Sequence, residues 1–220
     1  MLAAELPAPA GRTVTEMVRA NRARRLRVRR NLRRAGVAMI AVGLALVAAV
    51  GWQLWGTGIR TSRAQSAFRQ QIAAHGFPAR PIPGGAVGYI QVPAIGLDMA
   101  FVQGVSLAAL QRGPGHYPGT PLPGQAGNVA IAGHRTTYLH PFWALDQLRK
   151  GDVIVLQTRA GTFTYHVLWR RTFAPDDWSV VAPTAKAALT LTTCNPPFHN
   201  TERLVVRAVL VEAQTAQAGV

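Results

Sequence analysis

Twenty consecutive residues, Gly36 to Trp55, carry no charge. At about 1.5 Å per residue, a helix of that length spans roughly 30 Å, the thickness of a bilayer's hydrocarbon core. The run has no polar face, so a soluble protein would have to bury it on every side. It is longer than the apolar core of a secretory signal, and no small-x-small cleavage site follows it. A membrane-spanning helix over 36–55 is the reading that fits, with Trp52 and Trp55 placed as interfacial anchors.

The segment before the run is strongly basic. Residues 1–34 hold ten arginines against Glu5 and Glu16, a local +8 in a chain whose total is +15. The basic excess is therefore concentrated beside the span. Arginines flanking a span stay cytoplasmic, so 1–35 reads as a cytoplasmic arm and everything beyond 55 faces outward. Topology accounts for the cluster without a specific nucleic-acid partner, and lipid contact is expected through 36–55. Residues 1–11, rich in Ala and Pro, are expected to be disordered.

Residues 56–85 read as a juxtamembrane connector. A short helix from Ser62 to Ala74, opening at a Ser or Thr cap, is compatible with the sequence. The Phe77–Gly85 stretch holds three prolines, which lack the backbone donor and fix φ, and marks a domain boundary. From Ala86 the period becomes that of strands. Strands are expected at 87–92, 97–102, 128–132, 152–157, 162–169, 188–193 and 203–211. Short helices are expected over 106–111 and 141–148 and around Trp178, with a Gly/Pro-rich loop from Gly113 to Gly127. Seven or eight short strands with little helix predict an all-β fold, a closed barrel spanning 86–212, followed by a short tail at 213–220.

Three of these strands each deliver one polar group at an end. The strand at 188–193 runs into Cys194, the chain's single cysteine. The strand at 128–132 is followed by Gly133 and His134. The strand at 203–211 opens with Arg203. A lone cysteine is often a small buried hydrophobe. Here it sits where the chain leaves the sheet, before Asn195-Pro196-Pro197, in a domain expected in an oxidising compartment with no disulfide partner. A zinc site would need more ligands than one cysteine supplies. Acyl transfer uses a single thiolate, together with a group that exchanges protons near neutral pH and donors for the oxyanion. Of six histidines, His134 has the position for that work. His116, His140 and His199 fall in loops that could line a cleft, His166 lies within a strand, and His75 is in the connector. For Arg203, spacing alone leaves a surface ion pair with Glu202 equally open.

The runs Ala132-Gly133-His134-Arg135, Thr190-Leu191-Thr192-Thr193-Cys194-Asn195-Pro196 and Arg203-Leu204-Val205-Val206 resemble the sortases, cysteine transpeptidases of Gram-positive cell surfaces. The Gly-His-Arg-Thr-Thr-Tyr run at 133–138 and the Asn-Pro after the cysteine are most similar to the class E enzymes of actinobacteria. The resemblance implies an eight-stranded sortase barrel with Cys194 as nucleophile, His134 as general acid and base, and Arg203 as stabiliser of the oxyanion. It implies substrate contacts from Thr193 and Tyr138, and from Asp177 and Trp178 in the loop that grips the sorting signal. The implied substrates are surface proteins with a C-terminal Leu-Ala-X-Thr-Gly-like or Leu-Pro-X-Thr-Gly-like signal, cut after Thr and passed to an amine of a cell-wall precursor. Sparse, scattered acidic residues and the absence of a metal constellation predict no metal site and no cofactor. An N-terminal lid motif and a second apolar run are both lacking, which points to a housekeeping anchoring enzyme over a pilin polymerase.

Overall fold

The computed structural model describes residues 14–52 and 56–216. Trp55, residues 1–13 and residues 217–220 lie outside them, and with them the expectation for residues 1–11. The chain forms two units, one ending at Val50 and the other beginning at Gly51. The described residues of the first all lie in one helix, α1 (Val14–Gly51), so the basic residues from Arg19 to Arg34 and the apolar run are continuous. Arginine is among the better helix formers, which lets the basic segment extend the helix. Within Arg24–Gly51 an eighteen-residue window has a mean hydropathy of 2.0 and none of it is buried. The helix is long and apolar enough to cross a membrane.

The second unit opens with α2 (Thr57–His75), longer than the helix anticipated there and preceded by Gly56 without a side-chain cap. Gly58, Thr61, Gln65 and Phe68 recur at helical spacing and form its buried face. Gln65 does strand work. Its side-chain nitrogen donates to the Ala100 and Arg112 carbonyls at 2.9 and 2.8 Å, and its oxygen accepts from the Ala100 N–H at 2.7 Å. Both backbone groups of a buried strand residue are thus satisfied by one amide.

Eight strands follow: β1 (Ala86–Val92), β2 (Leu97–Gln103), β3 (Gly115–His116), β4 (Asn128–Ala132), β5 (Val153–Thr158), β6 (Gly161–Phe173), β7 (Ala188–Asn195) and β8 (Glu202–Thr215). They close into a barrel in the order β1-β2-β3-β4-β7-β8-β6-β5. The β2–β3 and β4–β7 pairs are parallel and the rest antiparallel. Inward-facing Ile90, Phe101, Ile131, Leu156, Tyr165, Leu189, Leu191 and Val206 fill the core.

The closed eight-stranded barrel agrees with expectation, and three details differ. β3 lies within the stretch expected as loop, because two residues are too few to show a period. β6 and β8 are longer than expected, since they pair with each other along almost their whole length, from Gly161↔Thr215 to Phe173↔Arg203. β8 thereby extends to Thr215, into the stretch assigned to the tail. The expected helix over 141–148 is a turn followed by a 3₁₀ segment, Leu145–Gln147.

His116, anticipated as a possible cleft residue, is instead fully buried in β3. Its ring nitrogens bond to Gln103, Thr120 and the Pro121 carbonyl. Burial holds its pKa below the usual 6.5. The unfolded chain therefore takes up this proton at a higher pH than the fold does, and the stabilisation is lost as pH falls below about 6.5. Melting temperature is expected to drop between pH 7.5 and 5, with a smaller drop in His116→Gln, as calorimetry would read. Gln65→Ala is expected to destabilise by about 1–3 kcal/mol for each stranded Ala100 group, measured by denaturant unfolding.

Candidate active site

β7 organises the site. Its parallel register with β4 runs from Asn128↔Ala188 to Ala132↔Thr192. The backbone pairing extends one step further, Gly133 N donating to the Thr192 carbonyl at 3.0 Å. Continuing this register carries His134 to the level of Cys194. On the other side the antiparallel β7–β8 ladder sets Cys194 directly opposite Arg203. The register thus brings three groups from separate segments to one rim of the barrel, with Cys194 and Arg203 directly paired. The Arg203 Nη1 lies 3.7 Å from the Cys194 Sγ and also donates to the Glu202 carbonyl at 3.2 Å. The carboxylate of Glu202 accepts from Asn195 Nδ2 at 2.7 Å, so the anticipated alternative of a Glu202–Arg203 surface pair is not what forms.

Cys194 is half-buried. Leu189 and Leu191 point into the core, so Thr190, Thr192 and Cys194 share the outer face. The two threonine hydroxyls on that face are engaged. Thr190 donates to Asn128 Oδ1 at 2.6 Å, and Thr192 bonds Tyr117 Oη at 3.2 Å. Thr193 turns the other way and donates to the Gly133 carbonyl at 2.8 Å, tying the strand end that carries Cys194 to the residue before His134.

His134 has a buried Nε2 without a hydrogen-bond partner, and burial holds its pKa below the ordinary histidine value. Burial thus favours the neutral form of the imidazole. Its ring packs against Tyr138, with centroids 4.8 Å apart. Tyr138 has φ of +55° and is held from both ends: its N–H donates to Thr57 Oγ1 and its hydroxyl accepts from Gln111 Nε2 at 3.0 Å. Gly133 is needed for a different reason. A Cβ there would lie 2.5 Å from the ring of fully buried Phe142.

Asp177 and Trp178 sit on the β6–β7 connection. The Asp177 carboxylate accepts from Ser179 N at 2.9 Å and opens the 3₁₀ segment Trp178–Val181, leaving Trp178 69% exposed. The segment is fastened to the outer face that holds Cys194, its Val180 carbonyl accepting from Asn128 and Arg207. Sequence reasoning passed over two features. One is an exposed aromatic pair, Trp143 and Phe198, with centroids 6.2 Å apart, contributed by the loops after His134 and after Cys194. The other is a polar chain through Arg135, Asp146, Asn195 and Glu202. Aromatics in Pro-containing loops give no periodic signal. The polar chain bonds residues as far as sixty positions apart directly to each other.

The sequence model of the Sortase domain family matches residues 90–211. The chain belongs to the sortase family. It is 31% identical over 208 residues to Sortase SrtE1 of Streptomyces coelicolor, an alignment covering 85% of this chain and 59% of that protein. The chain thus spans less than two thirds of that relative. Among solved structures, sortase E from Streptomyces avermitilis is 34% identical with a TM-score of 0.57, covering 63% of this chain and 96% of that one. Sortase E1 from Streptomyces coelicolor, solved with a tripeptide in its active site, is 28% identical with a TM-score of 0.57, covering 64% of this chain and 97% of that one. The closed barrel is the sortase barrel.

Burial favours the neutral form of His134, and the Arg203 guanidinium supplies a positive charge 3.7 Å from the Cys194 sulfur. Gly133→Ala is expected to cost about 1–3 kcal/mol through overpacking against Phe142, measured by denaturant unfolding, and to slow any reaction that depends on His134.

Proposed function

We propose that the chain is a membrane-anchored cysteine transpeptidase that cleaves sorting signals after threonine. The observation that carries the reading is the Cys194↔Arg203 register, with the guanidinium 3.7 Å from the sulfur. Cys194 is the nucleophile, Arg203 the oxyanion donor and His134 the group that exchanges protons. In the first half-reaction the sulfur attacks the threonine carbonyl, its proton passing to His134. Charge builds on the carbonyl oxygen, where Arg203 donates. The Thr–Gly bond breaks, His134 returns the proton to the departing glycine amine, and a thioester remains on Cys194. In the second half an amine of a cell-wall precursor attacks the thioester, His134 takes its proton, and an amide forms as the thiol is restored.

The reading assigns the substrate a Leu-Ala-X-Thr-Gly-like or Leu-Pro-X-Thr-Gly-like signal near the C-terminus of a surface protein. Thr193 acts from the strand end it braces, its hydroxyl being committed to Gly133. Tyr138 acts beside His134, and Asp177 shapes the turn that presents Trp178 to substrate. The lowering of the His134 pKa by burial supports its starting the cycle as a base. Anchoring is through α1, with the arginine-rich end in the cytoplasm and the barrel outside.

The test uses the full chain in detergent with a labelled Leu-Ala-X-Thr-Gly peptide, with and without an amine acceptor. Expected are cleavage after Thr, a thioester adduct on Cys194 by mass spectrometry, and incorporation of the amine. Cys194→Ala is expected to abolish all three, and Arg203→Ala to lower kcat by about 10²–10³-fold. A product that never takes up the amine would replace transfer with hydrolysis.

A further inference from the structure

The residue that follows His134 is Arg135, the one that follows Cys194 is Asn195, and the one before Arg203 is Glu202. These three immediate neighbours are joined to one another. Arg135 Nη1 donates to Asn195 Oδ1, and Asn195 Nδ2 donates to Glu202 Oε2 at 2.7 Å. The other arm of the guanidinium, Nη2, pairs with Asp146 Oδ2 at 3.0 Å. The chain Asp146–Arg135–Asn195–Glu202 thus links the segment after β4, the end of β7, the start of β8 and the 3₁₀ turn at 145–147.

Arg135 is 4% exposed, which is unusual for a guanidinium. A buried cation is tolerated when its donors meet acceptors. Here two do, while Nε has none. The site therefore commits a buried charge to holding two partners in fixed directions. The planar guanidinium fork suits that task better than a flexible ammonium. Once its oxygen has accepted from Arg135, the Asn195 amide presents its nitrogen to Glu202, so one end of the chain orients the other.

The location explains why such a tie matters. Regular pairing between β4 and β7 ends at Ala132↔Thr192, and the last backbone bond is Gly133 to Thr192. His134 lies beyond it. The Thr193–Gly133 bond braces the two strand ends just before the His134–Cys194 level, and Arg135–Asn195 braces them just after. The His134 Nε2 makes no hydrogen bond of its own that would hold the ring. Packing against Tyr138 sets the face of the ring, and the spacing of His134 from the sulfur is left to the backbone, and so to this pair of braces.

We propose that Arg135 is a positioning residue: with Asn195 as the bridge and Asp146 and Glu202 as the terminal acceptors, it fixes the spacing of His134, Cys194 and Arg203. This rests on the transpeptidase reading for its kinetic consequence, but not for its geometry. A misplacement of about 1 Å in a reacting constellation lowers rate by about 10²-fold.

The experiment compares full-length wild type, Arg135→Lys and Asn195→Ala, each assayed well below its own melting temperature. Three quantities are read: kcat and KM on the Leu-Ala-X-Thr-Gly peptide, the pH profile of Cys194 alkylation by iodoacetamide, and melting temperature. A positioning role is expected to lower kcat by about 10- to 100-fold with KM within about threefold, and to displace the alkylation profile in both variants. Lowered melting temperatures with wild-type kcat and an unmoved alkylation profile would overturn it. If Arg135→Lys does not fold, Asn195→Ala decides, since it leaves Arg135 paired with Asp146. If wild type does not cleave the peptide, the transpeptidase reading fails, and the alkylation profile alone still decides for or against the tie.

Discussion

The site depends on the two unlike ladders made by one strand. β7 runs parallel to β4 and antiparallel to β8. A parallel neighbour ends where β7 ends, whereas an antiparallel neighbour begins there. Two strand termini and one strand start are therefore gathered at a single rim. A barrel built only of hairpins would not bring two strand ends together in this way. The register is held by the core, because Leu189 and Leu191 on β7 pack with Ile131 on β4 and Val206 on β8. A slip of one residue would turn those leucines outward and Cys194 inward. The same apolar burial that closes the barrel thus keeps the sulfur on the outer face.

Around the sulfur, most polar groups already have work. Thr190 fastens Asn128, Thr192 meets Tyr117, Thr193 braces Gly133, and Asp177 caps its own turn. His134 differs from these, its Nε2 buried and unpartnered. Burial favours the neutral form of this imidazole, in keeping with the proposal that it accepts a proton first. Charge near the thiol comes instead from Arg203, held by the Glu202 carbonyl. The division is between a cation fixed by backbone and an imidazole fixed by packing against Tyr138.

The segment between the apolar helix and the barrel takes part in this arrangement. α2 lies against β2, where Gln65 satisfies Ala100, and Thr61 donates to the Gln111 carbonyl. Gln111 in turn reaches the Tyr138 hydroxyl, and Thr57 accepts from the Tyr138 N–H. A helix that reads as a connector is joined through two hydrogen bonds to the aromatic ring that supports His134. Its buried face carries Thr and Gln beside Phe68, so apolar periodicity alone did not mark it as a docking surface.

Much of this was legible beforehand. The charge-free run announced α1, alternating apolar residues announced most of the strands, and a lone cysteine at a strand end, a glycine before His134 and an arginine opening a strand marked the groups that the barrel brings to one rim. These are local properties: burial period, turn residues and residue type are written in neighbouring positions. Pairing is not local. That Thr192 lies beside Ala132 and Arg203 opposite Cys194 depends on which edges meet when the barrel closes. The same closure buries Arg135 and aims it at Asn195, and lets Gln65 stand in for a strand. The amino-acid order therefore determined the kinds of groups and the elements that carry them. The tertiary structure decided which of them face each other, because hydrogen-bond partners and desolvation are settled only when distant segments pack.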